Sequence, residues 1–137
     1  MADLGSITAV RPTATTVTQQ VTYGATIAAG QCVYLDTNDN EYKLADSDLT
    51  AITAAAKGIA ITPGVDAGKG LIAKAGSIIL VGTTMVIGET YLASKTAGGI
   101  MPVADAATGT PWITYLGNAA SATQLDIILK ATANVHA

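Results

Sequence analysis

His136 is the only histidine in the chain and Cys32 the only cysteine, so acid–base and thiol chemistry each rest on one side chain. A general base must be held within hydrogen-bond reach of its target. His136 stands one residue from the end of the sequence, where fraying is expected and nothing is held rigidly. Cys32 follows Gly30-Gln31 in a strand-like run with no histidine near it, and reads as a small buried hydrophobe. A lone cysteine also excludes an intrachain disulfide and a paired-cysteine metal site. The run Asp36-Thr37-Asn38-Asp39-Asn40-Glu41 offers oxygen ligands in the alternation used by calcium loops. Glu41, however, stands where the hand-type loop needs its glycine, so a hairpin turn with solvated acids is the expected reading. Gly64-Val65-Asp66-Ala67-Gly68-Lys69-Gly70 looks like a phosphate loop at first sight. The phosphate-binding pattern needs four residues between its glycines and a hydroxyl residue after the lysine; here three intervene and Gly70 follows. Trp112 and Tyr115 could stack on a sugar ring, but one tryptophan and five tyrosines barely furnish a core. Asp46 and Asp48 flank Ser47 and read as caps of a short helix. The residues thus assign no catalytic, cofactor or metal site.

The composition agrees with that absence of chemistry. Only 12% of the residues are charged, and seven basic against ten acidic groups give a net charge of −3. So few scattered cations cannot neutralise a run of phosphates, which argues against direct nucleic-acid binding. No stretch approaches the roughly 20 apolar residues of a membrane-spanning helix. The N-terminus lacks a charged start followed by an apolar core, so no signal peptide is expected and synthesis is placed in a reducing cytoplasm. Alanine supplies 26 residues, threonine 20 and glycine 14, and phenylalanine is absent. A chain rich in small neutral residues, with mean hydropathy +0.42, reads as an assembly component that hides surface against another protein. Surface scaling gives a folded area of roughly 6,600 Å², with about two-thirds of the extended surface buried.

Residues 1–20 carry five threonines, Gln19-Gln20 and Arg11-Pro12, with no useful period. They read as an extended N-terminal arm, β-like at best from Thr15 onward, with residues 10–13 kept out of any sheet by Pro12. From residue 21 to 137 the text is a single β-domain. Strand-like runs fall at 31–35, 41–44, 57–61, 70–74, 77–81, 84–87, 90–92, 99–103, 112–116 and 124–130, separated by turn residues. Strands this short and evenly spaced predict an all-β fold, a compact β-barrel or sandwich. One stretch, Ser47 to Ala56, favours a short helix.

The chain also echoes itself over about 24–62 and 82–120. Ile27-Ala28-Ala29-Gly30, Val33-Tyr34-Leu35, a polar turn, Lys43-Leu44-Ala45-Asp46 and Lys57-Gly58-Ile59-Ala60 form one copy. Met85-Val86-Ile87-Gly88, Thr90-Tyr91-Leu92, a glycine-rich turn, Pro102-Val103-Ala104-Asp105 and Leu116-Gly117-Asn118-Ala119 form the other. The landmarks Gly30/Gly88, Asp46/Asp105 and Gly58/Gly117 keep an offset of 58 or 59 positions. Two copies are too few for a solenoid and predict two similar halves of one structure, with glycine wherever positive φ or close approach is needed.

In this phrasing, from the Ile27–Asp36 run to the closing Leu125-Asp126-Ile127-Ile128-Leu129, the chain resembles the capsid decoration, or cement, proteins of tailed bacteriophages, of the DUF2190-like type. The resemblance spans about residues 24–130 and lies in rhythm and composition, without a diagnostic motif. It implies a β-barrel seated on the exterior of the assembled virion head, a homotrimer whose partner is the major capsid protein and which stabilises contacts between capsid subunits. Arg11, Thr13, Thr15, Thr16, Val17 and Thr18 are then the candidate capsid-contacting residues, because a neutral arm can add a strand to a neighbour's sheet. On that reading, deletion of residues 2–18 leaves a folded domain that no longer binds. The alternatives are a head-fibre or tail-associated β-module, and a host-surface carbohydrate-binding module with Trp112 or Tyr115 beside a cleft.

Overall fold

The computed structural model describes residues 7–45, 56–93, 98–102 and 113–132, and every regular element within them is a β-strand. In chain order these are β1 (Ala9–Pro12), β2 (Val17–Thr22), β3 (Cys32–Asp36), β4 (Glu41–Leu44) and β5 (Gly58–Ala60). β6 (Lys69–Val81), β7 (Thr90–Ala93), β8 (Ile100–Pro102), β9 (Ile113–Ala119) and β10 (Gln124–Thr132) follow. All pair antiparallel in the order β4-β3-β5-β6-β10-β9-β7-β8, with β1 and β2 both paired to β6. The accessible surface is 6326 Å², close to the scaling value.

The internal echo has a topological counterpart. β4-β3-β5-β6 and β8-β7-β9-β10 repeat one pairing order in the two halves. The turn before each half's first strand is built alike. Gly30 and Gly88 have φ of 89° and 85°, in the region that costs an L-residue about 1–2 kcal/mol. Their N–H groups donate to Ala60 at 2.8 Å and to Ala119 at 2.9 Å, the equivalent carbonyls. One detail differs: the Ala28 N–H is capped by the Gln31 side chain, whereas the equivalent Val86 N–H is capped by the Tyr91 hydroxyl. At the second landmark, a Cβ on Gly58 would press on the Ala73 carbonyl, and one on Gly117 would run into the Asp126 carbonyl.

The thirteen-residue β6 is long because it serves both halves. Its Ile72 lies between Ala60 of β5 and Gln19 of β2. In the second half, Leu125 of β10 lies between Ala119 of β9 and Ile78 of β6. The C-terminal part of β6 is therefore to β10 what β2 is to β6. The change of role falls at Gly76, where φ is 81°.

The sheet curls until Tyr23 meets Tyr42 in a parallel bridge, with the Gly24 N–H donating to the Tyr42 carbonyl at 2.8 Å. Inside the curl lie Val21, Tyr23, Ile27, Val33, Tyr42, Ala60 and Ile72. A larger cluster joins the halves through Val10, Ile59, Ile78, Leu80, Tyr91, Leu116 and Leu125. A fully buried Leu or Ile stabilises by roughly 1.5–3 kcal/mol, so these side chains hold the sheet closed.

Four sequence expectations need correction or placement. Residues 10–12 do sit in the sheet, in β1; Pro12 is tolerated because it occupies the last position, opposite Ile78, where the chain turns away. The runs 70–74 and 77–81 are one strand, since the Gly76 kink bends the ladder without ending it. Residues 84–87 form no strand but the turn that leads into Gly88. The short helix expected at 47–56 lies outside the described residues apart from Ala56, which is buried.

Candidate interaction surface

Of the six arm residues singled out in the sequence, three are used within the chain. Thr13 to Thr16 form a tight turn, the Thr16 N–H donating to the Thr13 carbonyl at 3.2 Å. The Thr13 hydroxyl donates to the Ser77 carbonyl at 3.0 Å, and the Thr16 hydroxyl donates to the same oxygen. The Thr15 hydroxyl accepts from the Ser77 N–H at 3.2 Å. Ser77 in turn donates its hydroxyl to Asp126 at 2.7 Å, and Gln124 donates to that carboxylate too. The threonines thus clamp the β1–β2 turn onto the kink of β6. This polar node was not legible in the sequence, because Ser77 and Asp126 carry no mark until β6 and β10 are paired.

The other three arm residues face outward. Arg11, Val17 and Thr18 are exposed, and Val17 is 54% exposed despite being apolar. Gln19 and Gln20 continue the same exposed run, and the sequence reading, which stopped at Thr18, missed them. Arg11 is the one charged residue between Ile7 and Thr22. Among the described residues, β1 and β2 each pair with β6 alone, apart from the Tyr23–Tyr42 bridge just past the end of β2.

The remaining chemical candidates resolve into structure. In the Asp36–Glu41 turn, Lys43 Nζ lies 2.7 Å from Asp36 and 3.1 Å from Asp39, so a lysine stands among the oxygens proposed for calcium. Asp36 is held below the usual carboxylate value of 3.8 by the Lys43 hydrogen bond first and the Asn38 N–H second. Asp39 is lowered mainly by the Glu41 N–H and then by Lys43. Depressed carboxyl values stabilise the fold above the ordinary value, and that contribution is lost as pH falls through the lower folded value. Lys43→Met should therefore raise Asp36 further than Asp39, and carboxyl chemical-shift titration would read the difference. Equal shifts in both acids would contradict this assignment of causes.

The Gly64–Gly70 run joins β5 to β6. Its glycines make room for the fully buried Tyr23, whose ring a Cβ on Gly64 or Gly70 would strike. The Tyr23 hydroxyl donates to the Thr62 carbonyl at 2.8 Å, and burial pushes its pKa up against that hydrogen bond. Lys69 donates to the Thr22 hydroxyl at 2.6 Å. No helix follows the loop, so no helix N-terminus is offered to a phosphate. Cys32 is buried, with Sγ 3.2 Å from the Gly99 carbonyl. Trp112, His136, Asp46, Ser47, Asp48 and Asp105 lie outside the described residues.

Two of the shallow clefts among the described residues bear on the candidate surfaces. One, of about 240 Å³, is lined by Thr90, Tyr115, Gly117, Asn118 and Ile128. The other, of about 210 Å³, lies between β2 and β4, lined by Gln19, Gln20, Val21, Thr22, Asn40, Tyr42 and Lys69. No family model and no curated protein matches the chain.

Proposed function

We propose that this chain is a non-enzymatic virion structural protein that binds the outer surface of an assembled phage head, as a homotrimer, and stabilises contacts between major capsid subunits. The observation that carries the reading is the outer edge of β2. Edge strands offer unpaired backbone donors and acceptors to other chains, and monomeric proteins guard them with lysine, proline or inward charge. β2 reads Val17-Thr18-Gln19-Gln20-Val21-Thr22, with no charge and no proline. Such an edge fits a neighbour's backbone, and neutral threonine and glutamine side chains dock without the desolvation cost of charges. Repetition over a symmetric lattice multiplies a modest affinity at each contact. The direction of strand addition differs from the sequence expectation: the arm completes its own sheet, so β2 receives a strand rather than reaching out as one.

Co-sedimentation with expanded heads that lack this protein, together with light scattering on the free protein, tests the proposal. Saturable binding by a species of three chains is the expected result. A folded protein that stays in the supernatant at every concentration overturns the head-binding reading, and leaves the Tyr115 cleft as the surface to screen against neutral glycans.

A further inference from the structure

We infer that the cleft between β2 and β4 is the seat of the incoming strand, and that this strand is an extended segment of the neighbouring capsid subunit carrying a carboxylate side chain. The inference rests on the head-binding reading above and names the contact within it. Three features of the cleft carry it.

β2 and β4 touch at Tyr23 and Tyr42 and the curl of the sheet is joined there, while residues 17–21 of β2 have no strand on their outer side among the described residues. A gap beside a strand edge admits one further strand, whose backbone pairs with the alternate N–H and C=O groups that point away from β6.

The lining is polar and rich in amides. Gln19 and Gln20 come from β2, and Asn40 comes from the turn that opens β4, held in the left-handed region at φ 59° with its N–H on the Asp36 carbonyl. Side-chain amides offer both donors and acceptors and suit a peptide backbone, which presents both.

The cleft has one charge. Lys69 is exposed, its ammonium is steered by the Thr22 hydroxyl, and it forms no ion pair among the described residues. Lys43, by contrast, is taken up by Asp36 and Asp39. An ammonium at the rim of a docking groove selects a partner with a carboxylate at the matching position, which speeds encounter and fixes register more than it adds affinity.

The test uses the full chain bound to expanded heads that lack it. Amide hydrogen exchange across residues 17–22 should slow on the bound protein, since the outward N–H groups gain partners. Lys69→Glu should weaken head binding about ten-fold, Lys69→Gln less, and the Gln variant should lose part of the wild-type salt dependence. Thermal melts of the free variants should match wild type, because Lys69 is exposed. Heads decorated normally by Lys69→Glu, with exchange at 17–22 unchanged on binding, overturn the seam while leaving head binding intact. Wild-type protein that binds no heads overturns the reading on which the seam rests.

Discussion

Truncation of residues 2–18 is expected to cost at least a third of the fold's stability, not merely its binding. The deletion removes β1, which pairs with β6 at Ile78–Val81, and the start of β2, which pairs with it at Ala73 and Ala75. It removes Val10 from the cluster that holds Ile78, Leu80 and Leu125, about 1.5–2 kcal/mol for a valine of that burial. It also removes the threonine hydroxyls that satisfy the N–H and C=O of Ser77, at about 1 kcal/mol for each hydrogen bond lost. With the strand pairing added, the loss is on the order of 5 kcal/mol, against a total of about 5–15 kcal/mol for an ordinary domain. Thermal denaturation followed by circular dichroism should show a midpoint lower by more than about 15 °C, or no cooperative transition. A truncated protein that melts with the full chain would show that residues 7–18 are an appendage.

The second large effect is expected at Gly76. Its φ of 81° lies in the left-handed region, and a Cβ there would run into the Thr15 carbonyl and stand 3.0 Å from the Thr16 Cα. Both obstacles are backbone, held by the Thr13–Thr16 turn, so neither yields by rotating a side chain. Gly76→Ala should destabilise by about 3 kcal/mol, combining left-handed strain with the clash. Gly88 supplies the control. It has φ of 85° but nothing within 4 Å of an added Cβ, so Gly88→Ala should cost only the strain, about 1–2 kcal/mol. Chemical denaturation of the two variants separates the terms. Equal losses would mean that the β1–β2 turn does not press on the kink.

The β-class, the hairpins and the repeat were legible because they leave local marks. Asp36 to Asn40 is a polar turn between two short runs that each carry a tyrosine and a leucine, and Gly30 and Gly88 stand just before Tyr34-Leu35 and Tyr91-Leu92. What escaped was set by distant pairing. Nothing near Ala9–Pro12 announces a strand, because β1 exists through Ile78–Val81 of β6, more than sixty residues later. Gly76 reads in the sequence as a break between two strands. Only the demand that one strand serve both halves keeps the ladder running through it. Residues 84–87 carry strand-like side chains, but Val86 and Ile87 are exposed in a turn, and no neighbouring strand claims them. The candidate surface divides the same way: neutrality and threonine content singled out the segment, while the division into clamping Thr13, Thr15 and Thr16 and outward Arg11, Val17 and Thr18 needed β6.

In the proposed function, the unguarded outer edge of β2 docks on the head. Supplying the missing guard tests it most directly: Val17→Lys combined with Gln19→Lys places two charges on an exposed strand whose core contact, Val21, is untouched. The doubly substituted protein should melt close to wild type and fail to co-sediment with expanded heads that wild-type protein saturates. Full occupancy of those heads by the guarded variant would mean that the β2 edge is not the docking surface.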